Sequence, residues 1–353
     1  MAPTGLLVYT IWTGVYRPSV LTVEVPPMRL PSPRKLAAAL GGLLAVAGLA
    51  APPSTAAAAS GSSIALAPYV DMGAWPSPVL SSMSQQSGIK SFTLGFVTGA
   101  ACKASWFAAY DPRQGWQSDE IAKIRAAGGD VKVSFGGASG VELAQACGDV
   151  NSLVGEYEAV IKAYDLKYID VDIEGAAVAD PGSIKLRSQA LKKVQDDNPG
   201  LKISLTLPVL PTGLTSDGLN VVTSARDAGV NLDLVNVMAM DYYQGSGDQG
   251  AKAIQAARST QAQLKSALGL SDADAWQKVG LTPMLGVNDS QNEIFYQKDA
   301  SAVVSFAQSV HLGMLSFWEL GRDANACSGP LYRCTNISQQ PYEFSKIFAG
   351  YSG

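Results

Sequence analysis

Eight short apolar runs, interleaved with amphipathic segments, constrain this chain more than any other feature. They span 65–72, 91–98, 130–137, 167–175, 201–209, 232–243, 278–286 and 312–320. Most are near-continuous stretches of Val, Ile and Leu, the pattern of strands buried on both faces. Between them the spacing predicts helices over 118–127, 152–164, 181–197, 219–228, 251–268 and 300–310. Pro181 suits a first helical turn, and Gly229 and Gly269 stand where C-caps belong. Strand and helix in this alternation predict an α/β fold, a single (β/α)8 TIM barrel. A doubly wound open sheet is the alternative, but no G-x-G-x-x-G loop follows the first run. No repeat array or Pro-rich linker divides the chain after Ser63, so 60–353 reads as one domain.

In such barrels chemistry sits at the C-terminal ends of the strands. The fourth run ends in Tyr168–Gly175, YIDVDIEG. Side chains on a strand alternate faces, so Asp170, Asp172 and Glu174 point one way, spaced by roughly 7 Å, while Ile169, Val171 and Ile173 point into a packed layer. A row of like charges is costly unless protons are shared or a cation sits beside it. A solvated strand end is the bland reading, and the apolar residues between the acids argue against it. The third run ends in Ser134-Phe135-Gly136-Gly137, where glycines permit close approach of a ligand or a neighbouring side chain. The sixth ends in Met240-Asp241-Tyr242-Tyr243 and the eighth in Phe317-Trp318-Glu319. Trp318 has a flat face suited to stacking on a sugar ring.

Composition narrows the partners. A net charge of -4 without long runs of one sign disfavours nucleic acid. The single histidine, His311, precedes an apolar run and reads as structural; with it alone, His-rich metal sites and a metal-dependent polysaccharide deacetylase are disfavoured. No cofactor and no metal are implied. Cys102, Cys147, Cys327 and Cys334 fit no zinc spacing and allow three disulfide connectivities. The most local choice pairs Cys327 with Cys334 and Cys102 with Cys147, a pairing the sequence alone leaves open. Residues 1–59 read as a leader with a secretory signal. From Met28 a basic stretch (Arg29, Arg34, Lys35) precedes an apolar run over 36–50 and the small residues Ala56–Ala59, a cleavage-site pattern. Translation is expected to start at 28. The protein is expected to be secreted, extracellular, monomeric, and free of membrane attachment after cleavage.

These residues together resemble glycoside hydrolase family 18, the chitinases, and are most similar to secreted single-domain bacterial members from about Ile64 onward. Asp170, Asp172 and Glu174 match the last three acids of the strand-four pattern D-G-x-D-x-D-x-E. Ser134, Gly136 and Gly137 match S-x-G-G on strand three. Met238 and Asp241 match Met-x-Tyr-Asp on strand six, and Trp318 matches the strand-eight tryptophan. Lys167 and Tyr168 replace the first Asp and Gly of the strand-four pattern, at the end away from catalysis. Met240 stands where the family carries a tyrosine that holds the substrate acetamide; Tyr242, two residues on and hence on the same strand face, is the candidate replacement.

The resemblance implies a chitinase acting on chitin or N-acetylglucosamine oligosaccharides with retention of the anomer, the substrate's own N-acetyl oxygen serving as nucleophile. Glu174 is then the acid, its pKa raised by the neighbouring Asp172 charge. Asp172 orients the acetamide, and Asp170 shares a proton with Asp172. Asp241 and Tyr242 polarise the acetamide beside Met240 and Gly137, and Trp318 floors the subsite. Only 287–299 lies where processive members insert a small domain, so an open cleft and endo action are expected. The loop aromatics Trp75, Trp106, Tyr110, Trp116 and Tyr296 are candidates for further subsites or for plain packing. Alternatives are an endo-β-N-acetylglucosaminidase acting on N-glycans and a non-catalytic chitin-binding barrel. The second typically lacks the glutamate that Glu174 supplies.

Overall fold

The computed structural model describes residues 64–353; the expected leader over 1–59 and the short stretch 60–63 lie outside the described residues. The strands, in chain order, are β1 (Tyr69–Asp71), β2 (Phe92–Gly99), β3 (Ala104–Trp106), β4 (Val131–Gly136), β5 (Tyr168–Asp172) and β6 (Lys202–Pro208). They continue with β7 (Leu232–Ala239), β8 (Val279–Pro283), β9 (Gly286–Val287), β10 (Ile294–Phe295) and β11 (Met314–Leu315). A curled parallel sheet runs in the order β1-β2-β4-β5-β6-β7-β8-β11. Bonds from Ala67 N–H to the Leu315 carbonyl and from Tyr69 N–H to the Phe317 carbonyl, each 3.1 Å, join its two edges. The sheet is thus an eight-stranded barrel, the (β/α)8 architecture expected from the alternation of runs.

The barrel strands coincide with the eight apolar runs, β2 passing its run by one residue at Gly99, but several are shorter. The eighth keeps regular pairing only over Met314–Leu315, and β5 stops at Asp172, two residues before Glu174. Pairing nevertheless continues one step further, from Ile173 N–H to the Thr206 carbonyl at 3.0 Å. Outward-facing Ile169, Val171 and Ile173 are fully buried against the helices. Each such side chain contributes about 1.5–3 kcal/mol by leaving water.

The helix 181–197 has the expected bounds, with Pro181 in its first turn and the Asp180 carboxylate accepting from the Gly182 and Ser183 N–H groups. Val150–Tyr164, Ser216–Asp227 and Gln249–Leu268 start two or three residues earlier than periodicity predicts. Their N-caps are Asp149, Thr215 and Asp248, whose side chains accept backbone N–H groups that the first turn leaves unpaired. The helix Leu80–Ser87 has no counterpart among the expected helices. Its sequence, LSSMSQQS, is rich in serine and carries no strong apolar periodicity; its first turn is anchored by Ser81, whose N–H and Oγ donate to the Glu120 carboxylate at 2.8 Å. His311 adopts a left-handed C-cap after Gln297–Val310, the structural role expected of it.

The interior of the barrel is polar where many barrels stack branched apolar side chains. Along β4, β5, β6, β7 and β8 the residues Lys132, Ser134, Asp170, Ser204, Thr206, Asn236 and Thr282 are all buried. They are joined by hydrogen bonds: Thr282 Oγ1 donates to Asn236 Oδ1 (2.8 Å), and Asn236 Nδ2 donates to Thr206 Oγ1 (3.0 Å). The disulfides are Cys102–Cys147 and Cys327–Cys334, the most local pairing.

Candidate active site

At the C-terminal end of the barrel a cleft of about 540 Å³ is bordered by Asp172, Glu174, Met240, Asp241, Tyr242 and Trp318. The structure therefore gathers the sequence-derived residues from β5, the turn after β7 and the end of the eighth run into one place. Tyr243, named at the end of the sixth run, lines it too; Tyr69, Phe96, Thr206, Thr282 and Asp289 line it as well and were not singled out by sequence. Thr206 could have been found from register, since it pairs with Asp172 across the sheet.

The three acids differ sharply in environment. Asp170 lies deepest and accepts from Ser134 Oγ (2.7 Å), Ser204 Oγ (2.6 Å), Tyr69 Oη (2.9 Å) and Thr206 Oγ1 (2.9 Å). Both its oxygens are thereby occupied by hydroxyl donors. Asp172, 3% exposed, has one oxygen, Oδ1, without a protein partner. Burial pushes its pKa well up, and the charges of Glu174 and Asp170 push the same way. Its side-chain hydrogen bond runs to Glu174, not to Asp170 as expected from sequence, because the hydroxyls already saturate Asp170. Two carboxyls can be hydrogen-bonded only if one carries a proton, so Asp172 and Glu174 form a coupled pair.

Glu174 is pushed up to about 7, chiefly by burial and then by the charges of Asp241 and Asp289. The hydrogen bond with Asp172 acts in the opposite direction. Burial is thus the largest cause, and acids from across the barrel add to the mutual repulsion of Asp172 and Glu174 that the sequence leads one to expect. Extended backbone at Glu174 (φ -127°, ψ 168°) continues the strand alternation, and Gly175 (φ 55°) then turns the chain away.

Across the cleft β7 ends at Ala239, so Tyr242 does not reach its place by strand alternation. Asp241 and Tyr243 take left-handed conformations (φ 48° and 55°), forming a turn that presents Tyr242. Glu293 is completely buried and holds that turn: Tyr242 N–H (2.8 Å) and Gln244 N–H (2.9 Å) donate to its two oxygens. The Asp241 carboxylate accepts from Ser290 N–H at 2.7 Å, which ties in the strap after β8. Burial raises the Asp241 pKa, with Asp289 and Glu293 adding to it. The Tyr242 hydroxyl is buried and has no protein partner, while its ring borders the cleft. A buried orphaned hydroxyl is costly unless a ligand completes it.

Trp318 stacks on Phe96, ring centres 5.7 Å apart and planes 17° apart. Gly137 does not border the cleft as expected; it makes room for that stack. At φ 85° a Cβ there would stand 2.6 Å from the Phe96 ring. Its neighbour Ala138 is the residue that faces the cleft. Among the loop aromatics, Trp106 is buried and donates its N–H to Tyr164 Oη (2.8 Å), which makes it a packing residue. Tyr110 stacks on Trp116 at 4.9 Å, and Trp75 is 86% exposed. None of the candidates Trp75, Trp106, Tyr110, Trp116 or Tyr296 borders the cleft. Lys167 pairs with Asp165 (3.0 Å), and Tyr168 borders a separate cavity that also touches Ile64 and Tyr351, so both lie away from the acids.

No family model matches the chain. The catalytic domain of a hyperthermophilic chitinase from Pyrococcus furiosus superposes with a TM-score of 0.73 at 33% identity, covering 81% of this chain and 94% of that one. A probable bifunctional chitinase/lysozyme of Escherichia coli (strain K12) is 39% identical over 309 residues, 81% of this chain and 34% of that protein. Endochitinase 11 of Metarhizium anisopliae is 40% identical over 277 residues, 74% of this chain and 52% of that protein. The chain therefore spans about a third of one of these curated relatives and about half of the other. Similarity at this level over nearly the whole of a solved chitinase domain decides the family: this chain belongs to glycoside hydrolase family 18, the chitinases.

Proposed function

We propose that the protein is a chitinase that hydrolyses β-1,4 bonds between N-acetylglucosamine units by a retaining, substrate-assisted mechanism, with endo action. The observation that carries this reading is the hydrogen-bonded Asp172–Glu174 pair bordering the same cleft as Tyr242, Asp241 and Trp318. Glu174, with a pKa pushed up to about 7, is protonated over much of the neutral and acidic range and donates its proton to the glycosidic oxygen. The substrate's acetamide oxygen attacks the anomeric carbon, and the bond to the leaving sugar breaks. Asp172 accepts the acetamide N–H and stabilises the positive ring that forms, while the Tyr242 hydroxyl donates to the acetamide oxygen. Glu174, now ionised, takes a proton from the water that opens the ring, which restores the original anomer. Trp318 stacks beneath the sugar that carries the acetamide.

Relatives bearing the name chitinase, and a Pyrococcus furiosus domain solved with chito-oligosaccharides, support this substrate class. Only the short β9–β10 hairpin fills the region between β8 and the helix Gln297–Val310, which favours an open cleft and cleavage within the chain. Two disulfides and the signal-like leader favour an exported protein. The decisive experiment is digestion of N-acetylglucosamine oligomers with the product anomer followed by NMR. Initial β-anomer from internal cleavage is expected; initial α-anomer would refute retention, and release of terminal units alone would refute endo action. Parallel arms with a high-mannose glycoprotein and with peptidoglycan separate chitin from the other N-acetylated substrates.

A further inference from the structure

Lys132 is a buried charge that the proposed mechanism does not use. It lies on β4 two residues before Ser134, so both side chains enter the barrel. It is 2% exposed. Among the described residues its ammonium hydrogen-bonds only to Ser204 Oγ and Met314 Sδ, each at 3.4 Å. Neither is a carboxylate, and a buried ammonium without a charged neighbour is expensive compared with an apolar residue of equal length. Ser204, however, donates to Asp170 Oδ1 at 2.6 Å. The hydroxyl accepts from the ammonium and donates to the carboxylate, linking the two charges through one atom.

We propose that Lys132 is a positioning residue for catalysis: through Ser204 it supplies the counter-charge of Asp170 and so fixes how many protons the acid row holds. The charges facing it fit this role. Asp170 on β5 and Asp233 on β7 attract the ammonium, and Lys202 on β6 repels it. Asp233 has Lys202 at 3.5 Å from one oxygen, and Asp170 exerts the larger attraction on Lys132. Burial works against the charged amine, and the two aspartates resist it. Without the cation, the Asp172–Glu174 pair would take up a further proton at a higher pH. Asp172 would then be unable to accept the acetamide N–H, and turnover would fall on the acid side.

This inference rests on the acid row being catalytic, and Glu174→Gln tests that separately: an active Glu174→Gln enzyme refutes the row, whatever Lys132 does. Lys132→Met, of similar length, removes the charge; Lys132→Arg keeps it. Full-length protein is assayed for kcat and KM against pH on an N-acetylglucosamine oligomer. In Lys132→Met the acid limb of kcat/KM should move up by about one pH unit, with KM little changed at the optimum. Lys132→Arg should restore the limb toward its original position. An unmoved limb in a folded Lys132→Met enzyme overturns the proposal. Should Lys132→Met fail to fold, wild-type protein labelled at lysine 13Cε decides the question by NMR. An ammonium at Lys132 that persists through the activity optimum supports the proposal, and a neutral amine there overturns it.

Discussion

The Glu174 carboxyl owes its raised pKa to burial and to acids on the opposite wall, and two measurable consequences follow. Its pKa in the folded chain, about 7, exceeds the ordinary 4.5. The native state therefore holds a proton that the unfolded state gives up between those values, and stability falls as pH rises through that window. Glu174→Gln removes this effect. The variant should be more stable than wild type at pH 8, by at most about 3 kcal/mol, and the difference should vanish below about pH 4, as thermal melts can check. The same substitution should lower kcat by about 10²–10⁴-fold while isothermal titration still finds oligosaccharide binding. Tyr242 gives a contrasting case. Its hydroxyl is buried without a partner among the described residues, so Tyr242→Phe should raise the melting temperature of the free protein by a few degrees. Its effect should appear as a loss of about tenfold in kcat/KM on N-acetylated substrates.

At the scale of elements, the turn after β7 depends on one distant side chain. Glu293 bonds two N–H groups of that turn, so Glu293→Ala strands both donors and should cost about 2–4 kcal/mol, measured by denaturant unfolding. Glu293→Gln keeps one acceptor and should cost less, with KM rising because Tyr242 is held less firmly. Sequence periodicity could not find this contact, because Glu293 lies in a strap with neither helical nor strand pattern. Strand alternation did locate the acids on β5, since period two needs only neighbouring residues. The same rule named Tyr242 for a different reason than the true one, since positive φ at Asp241 and Tyr243 leaves no mark on hydrophobic pattern. Capped helices showed the same division. Apolar periodicity found their bodies, but their first turns are set by Asp149, Thr215 and Asp248, polar residues outside the periodic stretch.

Over the whole molecule the barrel was legible because eight buried strands leave eight apolar runs. Its polar interior was not, because Ser204, Thr206, Asn236 and Thr282 look unremarkable singly and matter only when the barrel curls them together. The Cys102–Cys147 bond spans 45 residues and ties the turn before β3 to the segment after the helix Leu143–Ala146. Loop-closure entropy assigns such a link about 4 kcal/mol. The double replacement of Cys102 and Cys147 by alanine should lower the melting temperature by several degrees while catalysis at room temperature persists; neither cysteine borders the cleft.

The stack of Trp318 on Phe96, seated in the notch at Gly137, reaches beyond geometry. A platform already held flat in the free protein loses little side-chain freedom when a sugar arrives. Its contribution to binding is preorganised, so calorimetry should find a negative heat-capacity change without the large entropic penalty of an aromatic side chain that must be ordered by its ligand.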